Sequence, residues 1–175
     1  MSLPAPQLAS ILAFTKETLG LLTNAQDTRL ENLIKAEFAA IEKYCERRFL
    51  VSDYIERFVG AGQVSYFPYH DNIRSVASFT ANNSSISPRY FNDYAVYFEH
   101  PIPRVNCTLT YSAGLDDVPE DIIAVIAESV AFRFRESERI GMSSKGMAGE
   151  TTSFRVNRWS PENLKTINAY KKGFV

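Results

Sequence analysis

The alternation of apolar and polar positions divides the chain into helical ends around a β-rich middle. Over residues 6–20, Leu8, Ile11, Leu12, Thr15 and Leu19 recur at helical spacing, and Gly20 with Asn24 punctuates the connection that follows. Residues 28–47 carry the clearest helical stripe: Leu30, Leu33, Ile34, Phe38, Ile41 and Cys45 step by three or four residues. Only Glu37 interrupts it. Thr28 and Glu31 have capping-box spacing, worth about 1 kcal/mol when formed. Arg47 and Arg48 stand at the C-terminal end, where cations suit the helix dipole.

From about residue 53 to 111 the period changes to two. Short aromatic and β-branched runs at 54–59, 64–67, 73–80, 94–98 and 105–111 predict strands. Gly60, Gly62, Pro68, the polar stretch 82–85, Pro88, Pro101 and Pro103 separate them. In the last run, Val105, Cys107, Leu109 and Tyr111 alternate with Asn106, Thr108 and Thr110. Gly114 then allows a backbone turn, and Asp117 with Glu120 brackets a helix start around Pro119. A third long helix is predicted over 119–140, on Ile123, Ile126, Ala127, Val130 and Phe134. Residues 141–152 show almost no apolar pattern and predict a mobile loop. Ser160-Pro161-Glu162 opens a last helix, with Ser at the N-cap and Pro at the first helical position, and Leu164, Ile167 and Tyr170 follow. The expected class is α+β: a helical core of three to four helices with a small antiparallel β insertion, about 53–111, between the second and third helices.

At 175 residues the chain fits one domain that buries roughly two thirds of its unfolded surface. Hydrophobic residues at 45% and charged residues at 22% argue against wholesale disorder. A net charge of −1 gives no electrostatic reason for avid binding to nucleic acid or anionic membrane. No apolar stretch approaches the roughly 18–20 residues of a membrane helix, and the N-terminus lacks signal-peptide character, so the expectation is synthesis in the cytosol without membrane association. Cys45 on the helical stripe and Cys107 on the inward strand face read as buried free thiols. The glycosylation sequons at Asn82, Asn83 and Asn106 then read as accidental.

Catalytic, cofactor and metal sites are not expected. His70 and His100 each lack a second imidazole or thiolate at ligand spacing and read as surface or aromatic-packing residues. Asp116, Asp117, Glu120 and Asp121 coincide with a helix N-terminus, where acidic side chains are favoured electrostatically. The glycines of 141–149 lack phosphate-loop spacing. Arg133, Arg135 and Arg139 sit on one predicted helix among Glu136 and Glu138, as on a solvated or subunit-contacting face. No serine sits in a nucleophile-elbow motif.

Four sequence features carry a family likeness. Leu33-Ile34-Lys-Ala36 leads to Ile41-Glu42-Lys-Tyr44-Cys-Glu-Arg47, and Ile73-Arg-Ser-Val76-Ala-Ser-Phe79 forms a strand. Tyr111-Ser-Ala-Gly114 is followed by Val118-Pro119-Glu-Asp-Ile122, and Leu164-Lys-Thr-Ile-Asn-Ala-Tyr170-Lys-Lys172 closes the chain. In these, over about residues 8–172, the chain resembles the head–tail connector, or adaptor, proteins of tailed bacteriophages. The resemblance implies a non-enzymatic virion protein in the neck, assembled in the host cytoplasm, without cofactor. It implies a homo-oligomeric ring of about twelve copies beneath the portal protein. Such a ring extends the DNA channel, passes DNA without sequence-specific binding, and offers a platform to a stopper or tail-completion protein. The chain then divides into a core, 1–148, and a C-terminal docking segment, 149–175, with Phe154, Trp159, Leu164, Tyr170, Lys171 and Lys172 as portal-docking candidates. Packing of Phe154 and Trp159 on their own subunit is the alternative role for those two. The alternative for the whole chain is a monomeric protein-binding module or regulator of phage or bacterial origin.

Overall fold

The computed structural model describes residues 3–136, 144–147, 150–153 and 158–171. Among these, four helices and antiparallel sheets make an α+β protein, and the chain divides into two compact units, 1–47 with 118–175, and 48–117.

In the helical unit, α1 (Ala5–Leu19) buries Ile11 and Thr15, whose hydroxyl returns a hydrogen bond of 2.7 Å to the Ile11 carbonyl. It ends at Gly20, whose φ of 70° fits the left-handed cap. α2 (Asp27–Cys45) buries Leu30, Ile34, Phe38, Ile41 and Cys45, as the stripe predicts, and buries Glu37 with them. The expected Thr28/Glu31 capping box does not form. The helix starts one residue earlier, Asp27 pairs with Lys16 at 2.8 Å, and Glu31 pairs with Lys35 one turn on. α3 (Glu120–Arg135) follows Pro119, which takes the N-cap position without a side-chain cap, and the acidic Glu120 and Asp121 occupy the first turn. The predicted extension of this helix over 137–140 lies outside the described residues. The predicted loop contains a sheet instead: β8 (Ser144–Met147) pairs antiparallel with β9 (Glu150–Ser153). Ser-Lys-Gly-Met carries no apolar alternation, so this pairing has no periodic signal. α4 (Pro161–Ala169) starts as read, with Ser160 Oγ accepting from the Asn163 N–H at 3.1 Å.

The β unit has a four-stranded sheet in the order β1-β7-β3-β4: β1 (Ser52–Val59), β3 (Ile73–Ala81), β4 (Ser84–Ser85) and β7 (Asn106–Ala113). A three-stranded sheet orders β2 (Ser65–Tyr66), β6 (Val96–Tyr97) and β5 (Tyr90–Phe91) as β2-β6-β5. β7 alternates as predicted: Cys107, Leu109, Tyr111 and Ala113 are buried, and the residues between them are not. Phe79, Phe98, Ile102 and Val96 complete the core. Phe58 stacks on Tyr66 at 3.7 Å between centroids, tying the two sheets together. Full burial of a core side chain such as Phe79 or Leu109 contributes roughly 1.5–3 kcal/mol. The polar stretch 82–85 contains a hairpin: Asn82 and Asn83 take φ of 48° and 66° between Ala81 and Ser84, which are paired. Two consecutive positive-φ residues define the tight turn whose twist matches antiparallel strands.

Gly114 explains the Tyr-Ser-Ala-Gly sequence. Its φ is 132°, and a β-carbon there would lie 2.6 Å from the Leu50 carbonyl carbon, so only glycine lets the chain leave β7 against residues 50 and 51.

Candidate functional site

The charged residue that breaks the α2 stripe organises the helical unit. Glu37 has no solvent-accessible surface. A carboxylate in that position requires compensating donors, and three side chains supply them. Arg133 of α3 contributes Nη1 at 3.2 Å from Oε2. Arg158 contributes Nη2 at 2.9 Å from Oε2 and Nε at 3.2 Å from both oxygens, while Nη2 also reaches the Ala36 carbonyl at 3.2 Å. The indole N–H of Trp159 donates to Oε1. The Arg158 guanidinium lies 5.5 Å from the centroid of the Trp159 ring, which meets Tyr44 edge-on at 5.3 Å.

The same face of α2 receives α4. Tyr44 Oη donates to Asn168 Oδ1 at 2.8 Å, the Cys45 thiol points at the Ile167 carbonyl at 3.5 Å, and Ile167 is fully buried. Burial pushes the Cys45 thiol up to about 11, against a smaller opposing effect of Arg47. Tyr170 donates to both carboxylate oxygens of Asp121, at 2.8 and 2.9 Å. Burial first, then the bond to Asp121, raises its pKa to about 12.

The six docking candidates therefore fall into three groups. Phe154 and Lys172 lie outside the described residues. Trp159 and Tyr170 are engaged with Glu37 and Asp121 of their own subunit, and Leu164 is half-buried. Lys171 is exposed, its ammonium 5.1 Å from the Tyr44 ring centroid. α4 presents Pro161, Glu162, Lys165 and Asn168 to solvent. Arg133, read as part of an outward basic face, turns inward to Glu37. Arg135 reaches the Thr18 carbonyl at 3.3 Å, and Arg139 lies outside the described residues. No local pattern in the sequence marks Arg158 as a partner of Glu37. Its signal was indirect: a Glu inside an apolar stripe demands a cation, and Arg158 stands next to the only tryptophan.

In the β unit a second carboxylate, Glu56, gathers aromatic hydroxyls. Its oxygens accept from Tyr111 Oη, from Tyr66 Oη at 2.9 Å and from the Tyr69 N–H at 2.8 Å. Burial, and then the proximity of Glu56, raises the pKa of Tyr66 and Tyr111. His70 stacks on Tyr54 at 3.6 Å, and its backbone N–H reaches Tyr111 Oη at 3.1 Å, in the aromatic-packing role. Among the described residues no group of three or more His, Cys, Asp or Glu is placed to hold a metal. Asp116 pairs with Arg74 at 2.8 Å. The Glu37 cluster joins α2, α3 and residues 158–159 within the helical unit, and the Glu56 cluster joins β1, β2 and β7 within the β unit.

Residues 10–172 match the family model described as "Head completion protein". The chain belongs to the head completion protein family. It shares its fold with a chain from the neck of an empty GTA particle computed with C6 symmetry (14% identity, TM-score 0.61). It shares it also with one from the neck of the native particle computed with C12 symmetry (12%, 0.59) and one from the virion of the native gene transfer agent particle (15%, 0.58). Each match covers 100% of this chain and 96% of the other. No curated protein matches the chain in sequence. As a head completion protein it is a structural component of the virion at the head–tail interface, a head–tail connector.

Proposed function

We propose that this head completion protein assembles as a ring of about twelve copies beneath the portal, extends the DNA channel, and carries the stopper or tail-completion protein on its far side. The observation that carries this reading is the family match across residues 10–172. The fold shared with chains of GTA necks computed with C6 and C12 symmetry supports it. The role is geometric rather than catalytic, and a net charge of −1 suits a channel that passes DNA without gripping it.

In this reading the β unit is an insertion between α2 and α3, and 149–175 is the portal-docking segment. The Glu37 cluster seats Arg158 and Trp159 of that segment on α2 and α3, and α4 with the residue after it offers Lys165, Lys171 and their exposed neighbours to the portal. The isolated chain is a monomer and closes its ring on the portal template. Native mass spectrometry with and without cognate portal rings tests this. Portal-dependent oligomers support it, and a persistent monomer that ignores portal favours the binding-module reading.

A further inference from the structure

The two edges of the four-stranded sheet are treated differently. On one side β3 carries two register shifts against β7, β4 covers Thr80 and Ala81, and two further backbone bonds occupy the ends: Ile86 N–H to the Phe79 carbonyl, and Ile73 N–H to the Asp93 carbonyl. Bulges and covering segments of this kind prevent edge-to-edge pairing. On the other side β1 runs eight residues in unbroken register with β7 and, among the described residues, has no outer neighbour.

The direction of its backbone groups follows from the Gly60 N–H, which bonds the Val105 carbonyl in continuation of the β1–β7 register. Hydrogen-bonded and non-bonded pairs alternate in an antiparallel ladder. Asp53, Ile55, Arg57 and Val59 therefore turn their N–H and C=O groups to the open edge. Ile55 and Val59 are 65% and 66% exposed, so the edge is long and partly apolar.

The same chain holds a sheet that lacks a third strand. β8 and β9 pair with each other and, among the described residues, with no other strand. A two-stranded hairpin is marginally stable by itself. One open strand edge and one incomplete sheet on each copy form the two halves of a head-to-tail contact, the type that closes into rings.

We propose that the β8–β9 hairpin of one copy adds to the β1 edge of the next, building a continuous sheet across each subunit boundary. This rests on the ring reading above and names the contact that makes the ring. The occupant is a second copy of this chain.

Proline at position 55 removes an N–H that faces the open edge and no β1–β7 bond, and edge strands tolerate such a proline. With cognate portal, Ile55→Pro should keep the wild-type melting transition and lose at least about tenfold in ring yield by native mass spectrometry. Ile55→Lys provides a milder variant with the same expected direction. Arg57→Cys combined in turn with Thr151→Cys or Thr152→Cys, oxidised on the portal, should give a ladder of disulfide-linked oligomers that none of the single variants gives. Wild-type rings together with undiminished Ile55→Pro rings, or rings of both double variants without cross-links, overturn the β-addition and leave the ring reading standing. Loss of a tail-side partner by Ile55→Pro with rings intact assigns the edge to another occupant and also overturns it. Absence of wild-type rings on the portal overturns the ring reading and this contact together.

Discussion

The indole N–H of Trp159 donates to Oε1 of Glu37, joining the start of the C-terminal helical segment to a carboxylate sealed within α2. Glu37→Ala should destabilise the protein by about 2–3 kcal/mol in urea denaturation. That is below the full cost of breaking a buried pair, because Arg133 and Arg158 are partly exposed and regain water. Arg158→Ala, which leaves Arg133 and Trp159 in place, should cost about half as much.

Truncation before Arg158 should lower stability by at least about 3 kcal/mol, since it removes the buried Ile167 and two of the three donors to Glu37. Reading 149–175 as an appended segment implies a removable tail, whereas the contacts of α4 predict a melt that shifts by many degrees. Docking is therefore better tested by Lys165→Glu and Lys171→Glu, which should weaken portal attachment while leaving the melting temperature within about 2 °C.

Gly114→Ala should cost about 3 kcal/mol or prevent folding, because the substituted residue would combine an unfavourable positive φ with a clash against the backbone of Leu50. Gly20→Ala has open space around it and should cost about 1 kcal/mol from its φ alone. Thermal unfolding of the two variants side by side checks the difference.

Alkaline pH should unfold the protein. Cys45, Tyr66, Tyr111 and Tyr170 all hold their protons more tightly when folded. The unfolded chain then binds fewer protons, and stability falls as pH rises. The decline should begin near pH 9, the ordinary value of the Cys45 thiol, and continue past its folded value of about 11 as the tyrosines follow. Cys45→Ala should delay the onset. Urea midpoints measured from pH 7 to 11 check it, and a flat profile in the wild type contradicts it.

The parts legible in the sequence are those where one periodic face is buried. The α2 stripe and the Val105–Tyr111 alternation announce themselves because each residue on the period meets the core. The Ser160-Pro161 start was legible because capping is local chemistry. The Asn82-Asn83 hairpin was harder to see, since its second strand, Ser84–Ser85, is exposed and carries no apolar signal. β8 and β9 were invisible because Ser-Lys-Gly-Met and Glu-Thr-Thr-Ser carry no apolar alternation. The Glu37 cluster was half-visible: the carboxylate stood out as an interruption, but its partners lie 96 and 121 residues away along the chain, and only the fold brings them together.

Electron cryomicroscopy of the protein mixed with its cognate portal decides whether this chain forms the proposed ring. The expected image is a coaxial ring of about twelve copies on one face of the portal, with 158–171 on the portal side and an open central channel. A portal that remains bare at micromolar protein, with the chain monomeric in the same sample, rules the ring out.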